Sequence, residues 1–312
     1  MKIRNSLVFL FITFVYLFLI QFLYDFRDNV NYFSAFKAVQ DAPTFAGSYI
    51  AYMKELGASE PILFILQYQF SSFLSYVAFN HLINFLLLIV IYLSVNKYFK
   101  KNLIAFVIIL LFDYYLYRLT GELHRFKLSM LFFLLFFLYF ENTKYKTFSI
   151  LLSILSHFQI AVVYLVLVIK NIKITRFIKL RTIFNILFLI VAVCVFFALY
   201  YDHFLYKLRY YLLLAFPLST FIIGILYLSY VTLFKDKKNT LNFLYLFLVI
   251  ASIAFFIGSD RVNIFLVEFI FIMELYNFLE KGKKHSLVIL IPIIFYNIYR
   301  IKNLFSIALV GV

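Results

Sequence analysis

Residues 114–127, Tyr-Tyr-Leu-Tyr-Arg-Leu-Thr-Gly-Glu-Leu-His-Arg-Phe-Lys, interrupt two strongly apolar runs, 103–117 and 126–140. Arg118, Glu122, His124, Arg125 and Lys127 crowd into the last ten of them. In a continuous helix, Arg118, Glu122 and Arg125 stand at i, i+4 and i+7 and share one face. Ionisable groups pressed against membrane-spanning runs are costly unless they face a cavity or a ligand. The spacing therefore predicts an anion site, suited to a lipid-linked phosphate.

The flanking runs decide the class. The chain is 65% hydrophobic with a mean hydropathy of +0.99, and apolar runs of spanning length recur from end to end. A soluble domain does not carry that composition. The runs are continuous rather than alternating, which excludes a β-barrel and leaves helices, whose backbone groups are satisfied internally. The expected fold is an all-α polytopic integral membrane protein of about 10–11 transmembrane helices, one membrane domain over 1–312.

A net charge of +15 raises the question of nucleic acid. Most Lys and Arg sit in short loops between apolar runs, where they set topology. There is no long basic arm, so nucleic acid is not expected as a partner. Cys194 is the single cysteine and lies in an apolar run, so no intramolecular disulfide can form. No His/Cys/Asp/Glu spacing resembles a metal site and no Gly-rich phosphate loop is present, so neither metal nor cofactor is implied.

Lys2 and Arg4 precede the first run, which places the N-terminus inside and the 5–24 span leading outward. Residues 25–77 follow as a long outer loop, net negative over 25–60, with an interfacial helix at 61–76. Spans are expected at 78–96, 103–117 and 126–140. Fifteen helical residues cover roughly 22 Å against a hydrocarbon core of about 30 Å, so the charged stretch between the last two is drawn below the outer surface. The run 147–169 has basic residues on both flanks, which suits a helical hairpin turning at Ser156-His157-Phe158 better than one crossing. With that hairpin, spans at 182–200, 211–234, 241–257, 262–279 and 286–299 alternate cleanly.

On this topology Arg118, Arg125, Arg209, Arg261 and Arg300 collect on the outer side, against the charge rule, so each needs another reason. Bidentate guanidinium recognition of a diphosphate supplies one; pairing with neighbouring acids, such as Arg118 or Arg125 with Glu122 and Arg261 with Asp260, supplies the alternative. His157, at a turn within the membrane, is placed to donate to a leaving group or to orient a hydroxyl. Glu268 and Glu274 fall inside a span, where a carboxylate serves proton coupling or a buried structural pair.

The order Asp28-Asn-Val-Asn-Tyr32, Glu60-Pro61-Ile-Leu-Phe64, Arg125 opening a span, Ser156-His157 at a turn and Arg261-Val-Asn-Ile-Phe265 resembles the EpsG/Wzy-type polysaccharide polymerases. The resemblance implies a GT-C-like, metal-independent glycosyltransferase of the bacterial inner membrane, multi-pass, with its active site facing the periplasm. It implies polymerisation of undecaprenyl-diphosphate-linked repeat units of O antigen or a related surface polysaccharide. The bilayer, a chain-length regulator and a flippase are the implied partners. Arg118, Arg125, Arg261 and Arg209 would hold the donor diphosphate, and His157 would act as acid, base or positioning group. Glu122, Asp28 and Asp260 would orient or deprotonate the acceptor hydroxyl, and Tyr32, Tyr114 and Tyr115 would stack on sugars. Two rival expectations are a flippase for a lipid-linked oligosaccharide and a non-catalytic membrane scaffold. Scarce Gly and Pro count against the first.

Overall fold

A computed structural model describes residues 3–24, 28–57, 61–138, 143–157, 160, 218–235, 240, 243–244, 247–248, 251 and 259–310. Among the described residues the regular structure is helical, with no strand. Helix α1 (Ile3–Ile20) runs into a 3-10 turn, Gln21–Leu23. Helices α2 (Asp28–Asp41), α3 (Phe45–Leu56) and α4 (Pro61–Phe70) follow. Next come α5 (Tyr76–Tyr98), α6 (Asn102–Phe112), α7 (Tyr114–Gly121), α8 (His124–Leu138) and α9 (Thr143–Ser156). The later helices are α10 (Leu218–Phe234), α11 (Ser259–Leu279) and α12 (Leu287–Val310).

Three stretches are long and apolar enough to cross a membrane: Ser6–Leu23, Tyr76–Tyr98 and Lys284–Ala308. The bent pair α6–α7 makes a fourth if it counts as one span. The expected outer loop contains α2, α3 and α4. The Thr44 hydroxyl caps α3 through the Gly47 amide (3.1 Å), and Gly57, at φ +57°, ends it in the left-handed region that favours glycine. Ser75 caps α5 in the same way, through the Ala78 amide.

Three expectations are corrected. The 103–117 run is not one helix: it bends by 72° at Asp113. The Asp113 carboxylate accepts from the amides of Tyr115 and Leu116 at 2.9 and 3.2 Å, so an aspartate N-cap starts a new helix there. Secondly, α7 stops at Gly121, so Arg118 and Arg125 belong to different helices and the continuous i, i+4, i+7 face does not form. Thirdly, α12 does not stop at 299; it runs to Val310, with Arg300 and Lys302 in its interior. Helix α9 ends at Ser156, where the first arm of the expected hairpin ends, and begins at Thr143 rather than at 147. The expected second arm apart from Ile160, the 182–200 span and Arg209 lie outside the described residues, as does most of the 241–257 run.

Two breaks in apolar helices leave backbone groups that hydrocarbon cannot satisfy, and buried side chains take them up. Asn297 of α12 donates to the Phe112 carbonyl at 2.7 Å, closing the end of α6. At the end of α7, Thr120 O accepts from Asn84 Nδ2 (3.0 Å) and Lys127 Nζ (2.9 Å), and Gly121 O accepts from Asn29 Nδ2. A Cβ on Gly121 would stand 2.8 Å from Leu23 Cδ1, so glycine lets this end close on the first span.

The chain divides into two compact units, 1–160 with 271–312, and 161–270. In the first, α8 and α9 pair antiparallel through small residues, with Ser153 Oγ donating to Ser129 O at 2.8 Å. An aromatic core of Tyr52, Phe64, Phe79 and Phe36 joins α3 and α4 to α2 and α5. In the second unit, Asn263 accepts from Thr220 Oγ1 (2.7 Å) and donates to Ser219 Oγ (2.8 Å), fastening the start of α11 to α10.

Candidate functional site

The site is built at the joint between α7 and α8, in the first unit. Arg118, in the last turn of α7, pairs with Glu122 just beyond it, Nε to Oε2 at 3.1 Å. Arg118 keeps 20% of its side chain exposed and Glu122 keeps 2%. Arg125, in the first turn of α8, is half-buried and donates from Nε to the Tyr32 hydroxyl of α2 at 3.2 Å. The two guanidiniums therefore flank the break, Arg118 in contact with Glu122 and Arg125 with Tyr32.

Behind them runs a buried polar network. His124 Nε2 lies within hydrogen-bond reach of Asn29 Oδ1 and of the Tyr76 hydroxyl (3.3 Å), and its ring packs on Tyr32 at 4.5 Å. Asn84 donates to the Tyr24 hydroxyl at 2.6 Å, and Tyr24 reaches His81 Nδ1 at 3.5 Å. Lys127 is wholly buried, and among the described residues Thr120 O is its hydrogen-bond acceptor. Asn80, one turn before Asn84, is wholly buried with neither amide atom hydrogen-bonded, and Asn84 Oδ1 is likewise unsatisfied among the described residues. Buried amides of that kind are the usual hosts of ordered water.

His157 follows the last residue of α9. The antiparallel packing of α8 and α9 brings its ring edge-on to Phe126, the neighbour of Arg125, at 5.7 Å. Three of the sequence-nominated residues, Arg118, Glu122 and Arg125, stand at one helix joint, with Tyr32 as a partner of Arg125, and His157 reaches that joint through Phe126.

Tyr114 and Tyr115 have other partners. Tyr114 is buried, and its hydroxyl accepts from Arg300 Nη2 at 3.1 Å, with the guanidinium 4.8 Å from the ring centre. Tyr115 packs edge-on against Tyr114 and is buried as well. Asp28 opens α2, and Asp260 and Arg261 lie in the first turn of α11 of the second unit; the side chains of the three lie outside the described ones. Glu274 is buried within α11, with Asn277 Nδ2 at 3.4 Å from Oε2. Among the described residues no cluster of three His, Cys, Asp or Glu could hold a metal.

Asn29, Tyr76, Asn84, Asp113 and Asn297 hold the breaks and the network together, and none was nominated from sequence. Their signal was present as polar residues within apolar runs; Asn80 and Asn84, four apart in the 78–96 run, are the plainest instance.

No protein-family model matches the chain, and neither does any curated protein or solved structure.

Proposed function

We propose that this chain is a polytopic, GT-C-like membrane glycosyltransferase of the bacterial inner membrane that polymerises undecaprenyl-diphosphate-linked repeat units of a surface polysaccharide on the periplasmic side. The observation that carries the reading is the presence of Arg118, Glu122 and Arg125 at the α7–α8 joint, beside a broken apolar helix, with His157 against Phe126. Broken backbone at membrane depth is tolerated where it lines a cavity or is buried in protein. Partly exposed guanidiniums on either side of such a break suit a diphosphate, whose oxygens they can grip in pairs.

In the proposed reaction the acceptor hydroxyl attacks the anomeric carbon of the donor sugar. A new glycosidic C–O bond forms as the C–O bond to the lipid diphosphate breaks. The hydroxyl proton passes to Glu122 or His157, and the charge that grows on the departing diphosphate is stabilised by Arg125 and Arg118. Asp28 is proposed to complete the acceptor site, with Tyr32 at the sugar end.

The test is complementation of a deletion strain with Arg125→Ala or His157→Ala, matched for membrane abundance. The polymerase reading expects single repeat units capped onto lipid in place of the polysaccharide ladder. Repeat units stranded on the inner face would identify a flippase instead. An unchanged ladder in both variants would identify a scaffold.

A further inference from the structure

Between α2 and the turn that joins α4 to α5 lies an open, shallow surface cleft of about 400 Å³. Phe33, Lys37 and Gln40 of α2 form one wall, and Ser72, Phe73 and Tyr76 form the other. Two of the rings are strongly exposed, Phe33 at 40% and Phe73 at 67%. Among the described residues, neither the Gln40 amide nor the Ser72 hydroxyl has a side-chain hydrogen-bond partner. Lys37 Nζ stands 4.5 Å from the centre of the Phe33 ring, and no carboxylate lines the cleft.

We propose that this cleft binds an acidic saccharide, as the acceptor-sugar subsite of the enzyme described above; the assignment of its role rests on that reading. A pyranose has apolar C–H faces and a rim of hydroxyls. Exposed aromatic faces meet the first, and an amide and a hydroxyl meet the second. The one charge in the lining is positive and sits beside an aromatic platform, which fits a uronate carboxylate rather than a neutral sugar. Tyr76 connects the cleft to the joint: its ring lines the cleft, and its hydroxyl contacts His124 and Asn29. His124 in turn carries the ring of Tyr32, the partner of Arg125. A saccharide in the cleft is thus one side-chain relay away from the proposed diphosphate site.

The chain has no tryptophan, so Phe73→Trp makes the cleft's edge the sole source of indole emission. The full-length variant in phosphatidylcholine vesicles is titrated with trigalacturonate. The expected result is a saturable blue shift, weakened at least tenfold by Lys37→Ala with Gln40→Ala and unaffected by Arg125→Ala, which is outside the lining. Maltotriose, which lacks the carboxylate, should bind at least tenfold more weakly, and Lys37→Ala should erase that difference. Phe33→Trp, on the opposite wall, gives the same readout if the first variant does not fold.

The absence of a saturable shift in either reporter overturns the proposal. So does a shift that follows lipid composition rather than saccharide, which would make Phe73 an interfacial anchor. The two readings separate cleanly. If Arg125→Ala abolishes the polysaccharide ladder while the indole is silent, the cleft assignment fails alone. If the indole responds while Arg125→Ala cells still polymerise, the enzymatic role fails and the saccharide site stands.

Discussion

At the start of α8, Lys127 has its amine wholly buried against one backbone carbonyl. Taking an amine from water with one acceptor costs more than the single hydrogen bond returns. The Thr120 carbonyl it contacts keeps Asn84 as a second donor, so removing the amine strands nothing there. Lys127→Met should therefore leave the fold at least as stable, by about 1–2 kcal/mol in its favour, read as a higher midpoint in a thermal melt in detergent. A fall in the midpoint would show the amine to be a net structural asset. Glu122 tells the opposite story. Arg118→Ala removes an ion-pair partner from a carboxylate that is nearly all buried, and should cost about 1–3 kcal/mol, less than a fully buried pair because Arg118 itself is partly in contact with solvent. Adding Glu122→Gln to Arg118→Ala should recover part of the loss, and additive costs in that double-mutant comparison would rule out the coupling.

Helix ends are the next level up, and here the asparagines matter. Three amide side chains, Asn29, Asn84 and Asn297, take up the carbonyls freed where α6 and α7 end. Asn297→Leu should cost about 1–3 kcal/mol, because the Phe112 carbonyl loses the donor that α12 supplies to it. Asn297→Gln, which can still donate, should be milder. Gly121→Ala presses a methyl to within 2.8 Å of Leu23 and should loosen the joint. The polymerase reading expects that loosening to lower polymer yield even when the protein still reaches the membrane, since Arg118 and Arg125 are positioned by the two sides of that joint. A melt of Gly121→Ala alongside its polysaccharide ladder measures both effects.

At the scale of the whole molecule the outstanding quantity is topology. Asp41 ends α2 on an exposed face of the segment that follows the first span. With the N-terminus inside, that segment faces outward. Asp41→Cys, in a Cys194→Ala background, should be labelled in intact cells by a membrane-impermeant maleimide. Labelling that appears only after permeabilisation would invert the orientation and move the α7–α8 joint to the cytoplasmic side.

Helix class, the capacity of several runs to span a membrane and the polar character of residues 114–127 were legible in the sequence, because apolar run length and composition are properties of the chain itself. The end of α9 at Ser156 coincides with the turn expected at Ser156-His157-Phe158. Positions of the breaks were less so. Asp113 and Gly121 interrupt runs whose hydropathy stays high, and an N-cap becomes a 72° bend only when a neighbouring helix can satisfy the carbonyls it frees. Asn297 and Phe112 lie 185 residues apart, and His157 meets Phe126 only because α8 and α9 fold back on each other. Which guanidinium pairs with Glu122 and which rests on a tyrosine was equally undecided by spacing, since both lie within helical reach of the same acid. Tertiary packing settled it: α7 ends before Arg125, and α2 offers Tyr32 to the residue that begins the next helix.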